Sequence, residues 1–216
     1  MLVVASSCVL FGAGAPILGQ LERSGVGDAI EAPPVQDHEW LKQDAARRNK
    51  VLLGKLKEDV HADRLLELSR ADAELGRMSQ PVTVESCDLS SMLLHPRFGV
   101  AQERPGGEAK VRAVDHFSWS AGHEGKAESV NGHVAPGEKM THDTLDTLAQ
   151  VMSEFFDRVG EVPGLLKADI DAAFRRIPIM PGQSWACGVA FLVAGLVQSF
   201  RFLLALRWCV IPFRYG

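Results

Sequence analysis

Closely spaced cysteines, apolar runs long enough to span a membrane and an excess of basic charge are all missing from this 216-residue sequence. Its four cysteines lie far apart and form no C-x-x-C pair, which argues against a zinc or redox motif. We therefore expect reduced and mostly buried thiols. The spacings of the histidines between residues 116 and 142 fit no common ligand template, so a histidine metal site is not expected either.

Two apolar stretches lack the properties of membrane segments. Leu2 to Gly19 has no basic leader and is interrupted by serines and glycines, so we do not expect a signal peptide. Ala186 to Val197 is shorter than the roughly 20 residues of a spanning helix, and extending it takes in Gln198 and Arg201. We expect a buried hairpin of strands there, no membrane partner, and a location in the cytoplasm or nucleus. A membrane-associated protein remains an alternative.

The composition predicts a folded protein whose contacts with phosphate are local. A hydrophobic content of 46% and a charged content of 23% are ordinary for a globular chain of this length. A net charge of -4 excludes a surface that is basic throughout. Any nucleic-acid contact must therefore use local clusters of Lys and Arg.

The first third of the chain divides into two segments. Residues 1–38 mix small apolar residues with turn formers, which predicts a poorly structured lead-in. Residues 39–78 carry leucines and valines at helical spacing between charged residues, which predicts a helical region. Gly76 is the expected end of its last helix.

A β-hairpin is predicted in the middle of the chain. Two extended runs, Phe98 to Gln102 and Ala109 to Asp115, flank a turn sequence that contains Pro105, Gly106 and Gly107. Side chains alternate along a strand, so Lys110 and Arg112 should share one face and Asp115 should lie on the other.

Further along, a helix and then strands are expected. Thr141 is the predicted N-cap of a helix that ends near Gly160. A short strand from Leu165 to Ile170 and apolar strands from Trp185 onward should follow. Helices and strands in this order indicate an α+β fold.

Residues 167 to 179 read KADIDAAFRRIPI. This stretch resembles the first palm motif of reverse transcriptases, in which a carboxylate ends a strand, an aromatic lies five residues later and a proline nine residues later. Asp169, Phe174 and Pro178 occupy these positions. The resemblance implies that the carboxylate of Asp169 and the carbonyl of Ile170 hold Mg²⁺.

The same resemblance implies a nucleotide-binding role for the residues that follow Asp169. The ring of Phe174 would pack under the incoming sugar and exclude a 2′-hydroxyl. The backbone amides of Ala172 and Ala173 would face the triphosphate at the start of a helix.

A second match lies in KVRAVDHFS, from Lys110 to Ser118, followed at a distance by S-V-N at residues 129–131. It resembles the fingers strand of reverse transcriptases related to tyrosine-recombinase retroelements. The resemblance implies that Lys110 and Arg112 close over the incoming triphosphate. The chain differs from this family at His116, where an acid is usual, which weakens any assignment of an ion pair with Arg112.

Together these matches imply N-terminal helices, a fingers β-hairpin and a partial polymerase palm with an incomplete antiparallel sheet, the fingers and palm occupying residues 79–216. The implied activity is RNA-directed DNA synthesis from nucleoside triphosphates, with Mg²⁺ as cofactor and template and primer as partners. No Y-x-D-D hairpin motif follows, and Arg214 replaces the glycine of a P-F-G motif. We therefore expect a truncated domain that is inactive alone, with an uncovered apolar segment from Val189 to Val210. A nucleic-acid-binding remnant without enzymatic activity is the alternative.

Overall fold

The computed structural model of the protein describes residues 15–21, 23, 25, 27–31, 37–104, 106–122, 128–139, 143–164, 177–201 and 204–205. Its helices are α1 (His38–Gln43), α2 (Ala45–Lys55), α3 (Ala62–Glu74) and α4 (Leu145–Val159). Its first strands are β1 (Gly19–Leu21), β2 (Asp28–Ala29), β3 (Val82–Thr83), β4 (Leu94–Arg104) and β5 (Gly107–Asp115). The later strands are β6 (Val134–Pro136), β7 (Glu138–Lys139), β8 (Ile177–Pro178), β9 (Gly188–Val193), β10 (Leu196–Arg201) and β11 (Leu204–Ala205). The predicted α+β class is confirmed.

The predicted helical region from residue 39 onward is confirmed as three helices. The Asp37 side chain caps α1 by accepting a hydrogen bond from the Glu39 amide, and α3 ends just before Gly76. Gly76 has a φ of +69°, the left-handed conformation in which glycine stops a helix without steric cost. The apolar sides of α1 and α3 bury Leu41 and Leu65 in the main core.

The principal sheet has five strands in the order β3-β10-β9-β4-β5. Both predicted hairpins are present, with β4 antiparallel to β5 and β9 antiparallel to β10. The expectation of an antiparallel sheet is wrong at its centre, because β4 and β9 are parallel and pair Leu94 with Gly188. A parallel pair needs a long crossover connection, and the residues between these two strands provide one.

The second hairpin also corrects the first part of the predicted uncovered segment from Val189 to Val210, namely β9; Leu196 is exposed, and the burial of residues 197–210 is not described. Strand β9 lies between β10 and β4, and α3 packs against it. Val189, Ala190 and Phe191 are consequently buried. A strand that is covered on both sides reads as a continuous apolar run, which also explains why this segment resembled a membrane stretch.

Residues 15–21 of the N-terminal segment are ordered, in contrast to the poorly structured lead-in that composition predicted for residues 1–38. Strand β1 pairs in parallel with β6, and Ile17 and Leu18 are buried in the main core. The Gln183 side-chain oxygen accepts hydrogen bonds from the amides of Ile17, at 2.6 Å, and Leu18, at 3.0 Å. Distant residues therefore satisfy this backbone, which a local reading of turn formers could not anticipate.

Helix α4 has the predicted C-terminal end and a different start. Gly160 is left-handed, with a φ of 74°, and its amide donates to the Phe156 carbonyl. The N-cap is Thr144, whose hydroxyl accepts from the Thr147 amide; the expected cap, Thr141, lies outside the described residues. Both threonines suit a cap by residue type, but Thr144 is the one adjacent to the first turn.

The predicted strand from Leu165 to Ile170 lies outside the described residues. Among the residues that are described, none of the helices is both long and apolar enough to span a bilayer.

Gly188 tests the packing between β4 and β9. An added Cβ there would lie 2.9 Å from the Leu93 carbonyl oxygen and 2.9 Å from a Leu94 methyl carbon, and the carbonyl cannot move without disturbing the sheet. Gly188→Ala should therefore lower the free energy of unfolding by about 1–3 kcal/mol in urea denaturation. The matched control is Gly182→Ala, where an added Cβ meets nothing within 4 Å. Equal stability of the two variants would contradict the close packing described here.

Candidate nucleotide-binding face of the hairpin

The β4–β5 hairpin presents two cations on one exposed face. Lys110 and Arg112 are exposed, Val111 and Ala113 are half-buried, and Asp115 is buried. The predicted alternation is therefore confirmed. Residues two apart on a strand are separated by about 7 Å, so the two cations project side by side.

The neighbouring strand adds apolar surface to this face. Val100 pairs with Arg112, Gln102 with Lys110, and Phe98 with Val114. Phe98 is 38% exposed and Val100 is 44% exposed, although both are apolar. An exposed ring and an aliphatic side chain beside two cations combine the contacts that nucleotides use, since rings stack on bases while cations bind phosphate.

Lys110 and Arg112 are not engaged elsewhere in the part of the chain that the structure describes. No described side chain forms a hydrogen bond or an ion pair with either residue. The backbone amide of His116, where the motif that this segment resembles has an acid, donates to the Pro96 carbonyl at 3.0 Å. Both cationic side chains are thus available to an external anion.

The opposite face of the hairpin is anchored by a buried ion pair. Arg97 donates from Nε to Asp115 Oδ1 at 2.7 Å and from Nη2 to Asp115 Oδ2 at 3.1 Å. Its Nη1 donates to the Ser69 hydroxyl at 2.5 Å, which ties the hairpin to α3. The two charged side chains have relative exposures of 0% and 2%. Such a bidentate contact fixes both the distance between the two side chains and their relative orientation.

Sequence reasoning missed this ion pair although a signal for it existed. Asp115 stood on the face opposite Lys110 and Arg112, and an acid on a covered face requires a partner. Counting the hairpin register outward from Arg104 and Gly107 places Pro96 across from Asp115, and a register shift between Gln102 and Arg104 brings Arg97 there instead. The sequence therefore signals that Asp115 needs a partner without identifying Arg97.

A close contact beside Gly99 holds the middle of the hairpin. An added Cβ at Gly99 would lie 2.7 Å from the Cβ atom of His61, so only glycine fits without displacement. The Gly99 amide donates to Asp59 Oδ2 at 3.0 Å, and Asp59 Oδ1 accepts from the His61 amide at 2.7 Å. The segment between α2 and α3 is thereby fixed to β4.

Arg48 of α2 organises the base of the hairpin. Its buried guanidinium donates to the carbonyl oxygens of Leu94 at 2.5 Å, Trp119 at 2.8 Å and Glu128 at 2.8 Å, and it lies 4.8 Å from the Trp119 ring centroid. Burial lowers the pKa of Arg48 to about 10, so it stays charged at neutral pH. The Arg48 side chain thus holds three separate segments of the chain together.

Two titratable groups complete this junction. His95 is fully buried, with its Nε2 2.9 Å from the Ala186 carbonyl oxygen, and burial lowers its pKa well below the usual value, so it is neutral. Burial would raise the pKa of Glu128, but hydrogen bonds from Ser120, Arg47 and the Gly122 amide outweigh this effect and lower it. Glu128 is therefore a carboxylate at neutral pH and balances the charge of Arg47.

The two sequence segments that resemble a fingers motif are in contact in the structure. Asn131, from the S-V-N sequence, donates from its side-chain nitrogen to the Ser118 hydroxyl at 2.5 Å. The Ser129 hydroxyl accepts from the Gly132 amide at 3.1 Å, and Val130 is buried. Ser118 and Asn131, which are thirteen residues apart in the sequence, are therefore in direct contact.

Most of the residues predicted from the palm motif are not among those that the structure describes. Asp169, Ile170, Ala172, Ala173 and Phe174 all lie outside the described residues, and with them the predicted Mg²⁺ ligands. Within the described ranges, no three His, Cys, Asp or Glu side chains are grouped as a metal site would require. Pro178 is described: it belongs to β8 and pairs with Leu204 of β11.

Comparison with known proteins identified no relative. No protein-family model matches the chain, and no curated protein and no solved structure matches it either.

Breaking the buried ion pair should be costly. Arg97→Met leaves the Asp115 carboxylate buried without its charged partner, and we expect a loss of about 3–5 kcal/mol in the free energy of unfolding. The matched control is Arg112→Met on the exposed face of the same hairpin, which should change stability by less than about 0.5 kcal/mol. Urea denaturation measures both. Similar losses in the two variants would show that the ion pair does not anchor the hairpin.

The neutral, buried His95 predicts a pH-dependent stability. The pKa of His95 is lowered in the folded protein. As the pH falls below about 6.5, the unfolded chain therefore takes up a proton on this residue and the folded protein does not. Stability should therefore decrease on acidification below neutral pH, by up to about 1.4 kcal/mol per pH unit from this group. His95→Gln should flatten the profile, whereas His38→Gln on α1 should retain it. Denaturant titrations at a series of pH values provide the test, and an unchanged slope in His95→Gln would exclude His95 as the source.

Proposed function

We propose that this chain is a nucleic-acid- and nucleotide-binding domain of the reverse transcriptase type, in which the exposed face of the β4–β5 hairpin contacts phosphate. The observation that carries the proposal is the side-by-side exposure of Lys110 and Arg112, on a strand whose opposite face is fixed by Arg97 and Asp115. An intracellular location, in the cytoplasm or nucleus, belongs to the same proposal.

The chemistry of the two cations supports phosphate as the ligand. A guanidinium can bind two phosphate oxygens at once, while an ammonium acts as a compact point charge beside it. The chain as a whole has a net charge of -4, so attraction of nucleic acid must be local. A rigid strand also loses little side-chain and backbone freedom on binding, which favours affinity.

Phe98 and Val100 extend this proposal from phosphate to the rest of the nucleotide. Both lie on the same face as the cations and are partly exposed to solvent. Stacking of a base on an exposed ring is tolerant of sequence. The face is therefore suited to single-stranded template without strong preference for particular bases.

The palm residues enter this proposal through the resemblance alone. Asp169 and the Ile170 carbonyl would hold Mg²⁺, with Ala172, Ala173 and Phe174 completing the nucleotide pocket. Bound Mg²⁺ would stabilise the attacking hydroxyl and the leaving phosphate. These 216 residues contain no Y-x-D-D motif to supply the further carboxylates. The proposed domain therefore binds nucleic acid and nucleotide without extending a primer alone.

A nucleic-acid-binding protein without ancestry as a polymerase is the second candidate. The exposed residues of the hairpin face suffice for it, since none of them depends on a metal. The two candidates differ in the role of Asp169, which only the polymerase-type domain requires for nucleotide binding in the presence of Mg²⁺.

Neutralising the two cations should weaken binding to a single-stranded oligonucleotide. Each of Lys110→Gln and Arg112→Gln should reduce the slope of log affinity against log salt by about 0.7, because one phosphate contact and its released counterion are lost. Fluorescence anisotropy over a potassium chloride series measures this slope. The control is Lys50→Gln, an exposed lysine on α2. If that control weakens binding equally, the hairpin face is not the binding surface.

The role of Asp169 can be tested on the same protein. We expect no primer extension by the wild-type chain with Mg²⁺, and Mg²⁺-dependent binding of a nucleoside triphosphate that Asp169→Asn abolishes. Oligonucleotide binding through the hairpin should survive this substitution, because it depends on Lys110 and Arg112. Triphosphate binding unaffected by Asp169→Asn would favour the second candidate, and Asp169-dependent extension would identify an active enzyme.

A further inference from the structure

Helix α4 exposes an apolar surface that no other described element covers. It has no buried residue along its fifteen positions. The large apolar side chains that are exposed on it are Leu145, Leu148, Val151, Phe155, Phe156 and Val159. A contiguous apolar surface of this kind marks an interaction site rather than a solvated face.

The apolar side chains of α4 follow the spacing of helices that pack against other helices. Positions separated alternately by three and four residues form a single stripe along one side of a helix. In α4 these positions hold Leu145, Leu148, Met152, Phe155 and Val159. The stripe is therefore a seam of five apolar residues that continues over the whole helix.

The carboxylates of α4 lie away from this seam, and its single cation, Arg158, flanks the seam near the C-terminal end. Asp146 and Asp157 lie on the opposite side of the helix, and Glu154 pairs with Arg158 at 3.8 Å. The positions that flank the seam include Ala149, Val151 and Phe156, which are apolar. Two such seams can approach each other without bringing carboxylates together.

A helix of this length needs a packing partner. An isolated helix shorter than about 15 residues is marginal in water, and most helical stability in proteins comes from burial of an apolar face. The Thr144 cap and the left-handed Gly160 define where α4 begins and ends, but they bury no apolar surface. The partner must therefore contribute apolar contacts along the seam.

The polar side of α4 limits what this partner can be. It carries three acids against the single cation Arg158, so it repels anionic lipid headgroups and phosphate. An interfacial helix on an anionic membrane has the opposite charge pattern. The partner that suits this surface is a protein helix that has its own apolar seam and no carboxylates along that seam. The helix α4 of a second copy has both of these properties.

We propose that α4 is a self-association element, in which the α4 seam of one copy of this chain packs against the α4 seam of another. The apolar flanking positions make the packing surface wider than a strict coiled-coil seam and suit a helix bundle. The assembly carries one hairpin face per copy, so several phosphate-binding faces act on one strand of nucleic acid. The self-association itself does not depend on the proposed nucleic-acid function.

The proposal is tested by sedimentation of the full chain over a wide range of concentrations. Wild-type protein should associate as its concentration rises. The double variant Leu148→Gln and Phe155→Gln should raise the dissociation constant by more than about tenfold, because central apolar contacts dominate such interfaces. The matched control, Thr147→Gln and Ser153→Gln on the polar side, should associate like the wild type.

Two further measurements keep the outcome decisive if the double variant loses its helix. Met152→Leu keeps the seam apolar and should retain association, while circular dichroism reports the helix content of each variant. Wild-type protein that stays monomeric while its α4 amides are protected from hydrogen exchange would overturn the proposal, since its own chain would then cover the seam. Binding of the full chain to lipid vesicles through α4, in place of self-association, would overturn the proposal as well.

Discussion

The geometry of the hairpin depends above all on the buried contact between Arg97 and Asp115. Two opposite charges removed from water tolerate no other arrangement, since either one alone would be strongly unfavourable. This requirement selects one register of β4 against β5. A slip of one residue would turn Lys110 and Arg112 inward and expose Asp115, because side chains alternate between the two faces of a strand. An internal electrostatic constraint thus determines what the outer face presents.

Arg48 imposes a second constraint, at the base of the β4–β5 hairpin. Its three carbonyl acceptors belong to the start of β4, to the turn after β5 and to the segment before the short 3₁₀ helix at Val130–His133. Because the guanidinium is planar, these three segments keep fixed relative positions. The hairpin is therefore held at its base by α2 and on its inner face by α3. Its exposed cations are presented in a preorganised arrangement.

Local signals explain what could be predicted from sequence. The turn with Gly106, the alternation around Arg112 and the helical spacing before Gly160 each lie within a few residues, and each gave the correct element. The parallel pairing of β1 with β6 and of β4 with β9 joins segments far apart in the chain, for which no local pattern exists. The same is true of the Gln183 contacts that order the N-terminal segment.

The proposed phosphate-binding face and the proposed metal ligands are separable in this chain for a structural reason. The side-chain contacts that fix the hairpin face come from Arg48, Asp59, Ser69 and Asn131 and from the hairpin itself, all of which precede Asp169 in the chain. The start of β4 also pairs with β9, which follows Asp169. A change among the metal ligands need not disturb any of these contacts. Loss of catalytic carboxylates would therefore leave a face that still attracts phosphate. Under the proposed function, the hairpin face can therefore bind phosphate without the proposed metal ligands, because neither the Arg97–Asp115 ion pair nor the Arg48 contacts involve Asp169.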